Sequence, residues 1–108
     1  MKIIANGTEK QNAWANDIIR KPVEKVRENI NRAERYAAMG CEGEDIVCAP
    51  LCSAIEKYEK RLDEFSDTLT AQFVIERRDQ FCRMMWGFVS DSFAEAGLKC
   101  DNPSEYVS

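Results

Sequence analysis

The 108-residue chain contains no histidine. Histidine is the commonest general base in enzymes and a member of most catalytic triads, so its absence disfavours acid–base and triad chemistry. It also excludes mixed cysteine–histidine zinc sites, which leaves cysteine thiolates and carboxylates as possible ligands. We therefore expect a protein that is not an enzyme.

The chain also lacks a surplus of positive charge and any long apolar run. Its 15 Lys and Arg residues against 19 Asp and Glu residues give a net charge of −4. This balance disfavours direct nucleic-acid binding, which needs clustered cations, and allows a basic protein surface as partner. No run approaches the ~18 apolar residues of a membrane span, and the opening residues lack the apolar stretch of a signal peptide. The length predicts one domain, residues 1–108, and the lack of a signal peptide and of a membrane span predicts a cytoplasmic protein.

Helical periodicity dominates the first 40 residues. Thr8 and Gln11 have the spacing of a capping box, so a helix is expected to begin at Glu9. Pro22 lacks an N–H group and crowds the preceding turn, which predicts a kink or a restart there. Gly40 suits the left-handed position that ends a helix. Between these points, apolar residues recur three and four positions apart, on one face of a helix: Ile19, Val23, Val26, Ile30, Ala33 and Ala37.

A second helical region follows from residue 50 onward. Pro50 suits the first helical position. A narrow apolar seam then repeats at four-three spacing: Leu51, Ile55, Tyr58, Leu62, Phe65 and Leu69. We place a turn at residues 66–68 and a last helix from about Thr68 to Ala96, which is apolar on more than one face and should be central. The sequence therefore predicts an all-α fold, a small helical bundle with a kinked N-terminal helix, a cysteine loop and a long C-terminal helical hairpin.

Three of the five cysteines, Cys41, Cys48 and Cys52, lie within twelve residues in a polar loop. We interpret them as ligands of one structural zinc ion per chain, which needs four ligands in a tetrahedron. Cys82 is the expected fourth ligand, since Cys52 and Cys82 lie equally far, about 22 Å, from the predicted turn of the hairpin. Cys100 is the alternative. A single cysteine can equally be a buried free thiol, because cysteine packs as a small hydrophobe.

The segment Gly7-Thr8-Glu9-Lys10-Gln11, followed by Ala13-Trp14-Ala15 and Asp17-Ile18, resembles an N-terminal segment of small proteins encoded by phages and mobile elements. The usual form there is Gly-Ser/Thr-x-Lys-Gln-x-x-Trp-Ala-x-x-Ile. The resemblance covers about a dozen residues and implies no activity. It indicates a phage or mobile-element origin and thus implies the cytoplasm of a bacterial host cell.

As a small, acidic, helical, histidine-free chain with a cysteine site, the protein is also similar to the zinc-containing anti-CRISPR proteins. The resemblance implies a non-enzymatic inhibitor that binds a type II CRISPR effector nuclease and blocks nucleic-acid loading or cleavage. It transfers no functional residue, because anti-CRISPR proteins share no common motif. The alternative hypothesis is a zinc-stabilised regulatory or structural adaptor of a phage. Such an adaptor could dimerise through the seam from Leu51 to Leu69, so a monomer or a weak dimer is expected.

Overall fold

The computed structural model describes residues 4–65 and 69–107, and these residues contain helices and connecting segments but no strand. The all-α prediction is therefore confirmed for the described part of the chain. The α-helices are α1 (Glu9–Ala38), α2 (Cys48–Phe65), α3 (Ala71–Glu76) and α4 (Arg78–Glu95), with 3₁₀ helices at Glu44–Val47 and Pro103–Tyr106. None of the described helices has the length and apolar character needed to cross a membrane.

α1 begins as the sequence predicts. The Thr8 hydroxyl accepts a hydrogen bond from the backbone N–H of Gln11, and the Gln11 side chain accepts one from the backbone N–H of Thr8. These two bonds satisfy donors that a helix start otherwise leaves unpaired. The helix ends at Met39, where Gly40 has a φ of 96°. Both predicted ends of the helix are confirmed.

α1 does not restart at Pro22, which lies inside one continuous helix of 30 residues. Proline has no N–H group, so the carbonyl of Ile18 receives no hydrogen bond from position 22. At the neighbouring carbonyl, the buried Tyr58 hydroxyl of α2 donates a hydrogen bond to the oxygen of Ile19 at 2.7 Å. A side chain of a second helix thus binds the backbone of α1 one turn before its proline.

The second half of the chain differs from the prediction at two points. Pro50 is the third residue of α2 and not the first, which the helix tolerates because N–H groups of the first turn have no intrahelical partner. The predicted last helix is two helices. The Thr70 hydroxyl accepts from the N–H of Phe73 and caps α3, and Arg77, with φ −116° and ψ 29°, separates α3 from α4. The turn predicted at residues 66–68 lies outside the described residues.

One core holds the helices together. Most of the predicted stripe of α1, except Ala37, and most of the predicted seam of α2 are buried, and Met85, Val89 and Phe93 of α4 complete the core. α4 packs against α2, α1 and the C-terminal 3₁₀ helix, which agrees with its expected central place. The molecule measures 48 × 25 × 19 Å. Its long dimension matches α1, since 30 residues at 1.5 Å rise span about 45 Å.

Candidate functional site

The segment from Tyr36 to Val47, which we call the loop end, joins α1 to α2 at one end of the molecule. Gly40 and Gly43 both have positive φ, 96° and 86°, and turn the backbone after α1. The backbone N–H of Cys41 donates to the carbonyl of Tyr36 at 3.0 Å and closes the last turn of α1. The 3₁₀ helix Glu44–Val47 then leads directly into α2, and none of its residues is buried. Apart from Ala37 and Val47, which are half-buried, the residues of the loop end are exposed to solvent.

Large apolar side chains are exposed at the loop end. Met39 is 71% exposed, Ile46 57% and Tyr36 43%. Among the described residues, one other large hydrophobic side chain is as exposed as these three, that of Trp14 in the second turn of α1. Exposed apolar side chains in one place are typical of surfaces that bind other proteins, and Met and Tyr are enriched in such interfaces.

The same segment carries only negative charge. The sequence contains no Lys or Arg between Arg35 and Lys57. Glu42, Glu44 and Asp45 are all exposed. The nearest cation along the chain, Arg35, lies in the last turn of α1. The loop end thus combines apolar side chains with carboxylates, a pattern that complements a basic surface with apolar gaps.

The three clustered cysteines border this surface but have different surroundings. Cys41 is exposed in the loop, Cys48 is half-buried as the first residue of α2, and Cys52 is exposed one turn later. The Cys48 Sγ lies 3.7 Å from the carbonyl oxygen of Ile30 on α1. Partial burial, followed by the charges of Glu34 and Asp45 and the neighbouring Cys52, raises the pKa of the Cys48 thiol. This direction describes the thiol without a metal ion, since a metal deprotonates a thiol that coordinates it.

Cys82 and Cys100 lie in other environments. Cys82 is half-buried on α4, where burial raises the pKa of its thiol, the charge of Lys21 lowers it and that of Asp79 raises it. Cys100 is half-buried after α4, and burial likewise raises its pKa. Within residues 4–65 and 69–107, no three His, Cys, Asp or Glu side chains are grouped so that they could hold a metal ion.

The structure therefore brings Cys48 and Cys52 near each other but does not assemble Cys41, Cys48, Cys52 and Cys82 into one site. As placed, these thiols do not fit the tetrahedral arrangement that structural zinc requires. Zinc binding by this ligand set stays a prediction.

Sequence reasoning missed the exposed apolar residues of the loop end. In the sequence, Met39 precedes the helix-ending Gly40, and Ile46 lies in an acidic loop without periodicity. Neither position predicts whether the side chain is buried or exposed. The signal available in the sequence is the placement of a Met and an Ile in a segment with three acids, two glycines and no cation. Such a segment cannot bury them by helical packing alone.

No protein-family model, curated protein or solved structure matches this chain.

Proposed function

We propose that the protein is a phage or mobile-element inhibitor that binds a host defence nuclease without enzymatic action, and that the target is a type II CRISPR effector nuclease. The observation that supports a binding function is the loop end, where exposed Tyr36, Met39 and Ile46 adjoin Glu42, Glu44 and Asp45. Nucleases that hold nucleic acid do so with basic channels. An acidic surface with apolar anchors can occupy such a channel and exclude the nucleic acid.

Two physical terms would act in this binding. Carboxylates on the loop end speed the encounter with a basic channel and select it over acidic surfaces. The exposed Met39 and Ile46 would be desolvated in the complex, and buried apolar anchors carry most of the energy in protein interfaces. Exposed tyrosine and methionine side chains suit this task better than the lysines and glutamates of an ordinary solvated surface.

A DNA-cleavage assay with a purified type II effector nuclease tests the proposal. Added protein should reduce cleavage, and the variant Glu42→Lys/Glu44→Lys should inhibit at least about tenfold less, equivalent to about 1.4 kcal/mol of binding free energy. The control Glu56→Lys/Asp63→Lys changes the net charge by the same amount on the exposed face of α2 and should inhibit like the original protein. Full cleavage at every concentration, with no complex in a pull-down, would reject the nuclease as target.

Zinc is a separate part of the proposal and the inhibitor does not require it. Its support is the presence of three thiols in twelve residues, of which Cys48 and Cys52 lie one turn apart at the start of α2. Elemental mass spectrometry on protein purified without chelator measures the zinc content per chain. About one zinc, lost in Cys48→Ser, supports the prediction, whereas no zinc with five free thiols removes it.

The alternative function, a zinc-stabilised regulatory or structural adaptor of a phage, remains a second proposal, but its suggested dimer surface is not free. Leu51, Tyr58 and Leu62 are fully buried within the single chain. A dimer through this seam would have to open the core. An adaptor would therefore use another surface.

A further inference from the structure

A groove lies far from the loop end, between the end of α2, α3 and the start of α4. We call it the arginine groove. Its cavity volume is about 420 Å³, and it is lined by Phe65, Phe73, Arg77, Gln80, Phe81, Arg83 and Met84. Four of these side chains are apolar, two are arginines and none is acidic. Its volume falls in the range of about 300–1,000 Å³ that is usual for pockets that receive small groups.

Arginines frame the apolar floor of this groove. The Arg77 guanidinium lies 4.2 Å from the ring centroid of Phe73, and that of Arg61 lies 5.1 Å from the ring of Phe65. Arg77 also contacts the Glu76 carboxylate at 3.7 Å, and Arg61 contacts the Glu64 carboxylate at 3.0 Å. By contrast, no carboxylate of the described residues lies within ion-pair distance of Arg83. The groove therefore offers an apolar surface beside one cation, Arg83, that pairs with no carboxylate of residues 4–65 and 69–107.

We propose that the arginine groove receives the loop end of a second copy of this chain. The argument is complementarity: the loop end supplies carboxylates and exposed apolar side chains, and the groove supplies guanidinium groups and an apolar floor. Apolar insertion of Met39 or Ile46 removes hydrophobic surface of both partners from water. Ion pairs with Glu42 and Glu44 would set the register of the contact.

The fold requires this contact to be between copies. The N-terminal end of α1 lies beside α3, since the Asn6 side chain accepts a hydrogen bond from the backbone N–H of Ala71 at 2.9 Å. The loop end follows the opposite end of α1, about 45 Å away along the helix. A chain therefore cannot place its own loop end in its own groove. Because the two surfaces differ, the association is head-to-tail, and each added copy leaves a free surface at both ends.

Sedimentation velocity over a concentration series tests the proposal with the full chain alone. The average mass of the original protein should rise from 12.4 kDa beyond that of a dimer. The loop variant Glu42→Lys/Glu44→Lys and the groove variant Arg77→Glu/Arg83→Glu should each need at least about tenfold higher concentration to associate, because like charges then meet. The variant that combines all four reversals restores opposite charges and should associate like the original protein.

The restored association is the decisive result, since damage to the fold cannot produce it. The control Glu56→Lys/Asp63→Lys should associate like the original protein. Thermal unfolding shows whether each variant is folded. If Arg77→Glu disturbs the junction of α3 and α4, the single variant Arg83→Glu replaces the double variant as the groove variant. A mass that stays at 12.4 kDa at every concentration, or a fourfold variant that does not recover, overturns the proposal. The nuclease assay is independent, so either proposal can fail alone.

Discussion

Ile46 and Leu51 are five residues apart, yet Leu51 is fully buried and Ile46 is 57% exposed. Leu51 belongs to α2, whose period places it against α1 and α4 in the core. Ile46 belongs to the loop end, where a 3₁₀ helix buries none of its residues. Two aliphatic side chains of similar size thus have different roles. The bundle uses apolar side chains for stability, whereas the loop end displays them.

The largest effect is expected from truncating the core. Leu51→Ala should lower the free energy of unfolding by about 2–5 kcal/mol, because it removes buried methyl groups and leaves a cavity. Ile46→Ala should change it by no more than about 0.5 kcal/mol, since most of that side chain is already in water. Urea unfolding followed by circular dichroism measures both. Equal losses in the two variants would mean that the loop end is part of the core, and the comparison would fail.

Tyr58→Phe should have the next largest effect on the free energy of unfolding. It tests the hydrogen bond that joins α2 to the backbone of α1 near Pro22. The substitution keeps the ring and removes the hydroxyl that donates to the Ile19 carbonyl at 2.7 Å. Losing one buried hydrogen bond costs about 0.5–1.5 kcal/mol, because the Ile19 carbonyl still lies within the hydrogen-bonded helix. The exposed Tyr36→Phe of the loop end is the matched control and should leave the free energy of unfolding almost unchanged. Urea unfolding at neutral pH compares the two.

The same residue predicts an alkaline pH dependence. Burial, followed by the charge of Cys82, raises the pKa of Tyr58 far above the ordinary tyrosine value. The unfolded state therefore loses this proton at lower pH than the folded state. The contribution of the neutral Tyr58 phenol to the free energy of unfolding is fully present below about pH 10, the ordinary pKa of tyrosine. This contribution falls as the pH rises above that value. Tyr58→Phe should flatten that fall relative to the original protein, and an unchanged slope would contradict the assignment.

Much of the bundle could be predicted because its residues act locally. The capping box needs only Thr8 and Gln11, and the buried stripe of α1 follows from the three-four spacing of its apolar residues. The break at Arg77 could not be predicted in this way. It depends on a backbone conformation between two helices, with no Gly or Pro at that position to mark it. The passage of α1 through Pro22 likewise depends on packing against another helix.

The candidate site was less predictable because it depends on tertiary placement. The cysteine spacing predicts that Cys41, Cys48 and Cys52 can converge, but convergence requires side chains to point inward from both sides of a loop. Equal chain lengths from a turn predict that Cys52 and Cys82 lie at the same level of a hairpin. They do not predict whether the two side chains face each other. The exposure of Met39 and Ile46 depends on the absence of a packing partner, which no local pattern encodes.

The smallest effects come from one substitution made in both regions, and they should have opposite signs. Gly43 lies in the loop end with φ 86°, and Gly87 lies within α4, and a Cβ at either position meets no atom within 4 Å. Gly43→Ala should therefore lower the free energy of unfolding by about 1 kcal/mol through backbone strain alone. Gly87→Ala should raise it by about 0.5–1 kcal/mol, because alanine loses less backbone entropy in a helix. Thermal and urea unfolding measure both. The same sign in both variants would show that the loop end does not hold the left-handed turn on which the display of Ile46 depends.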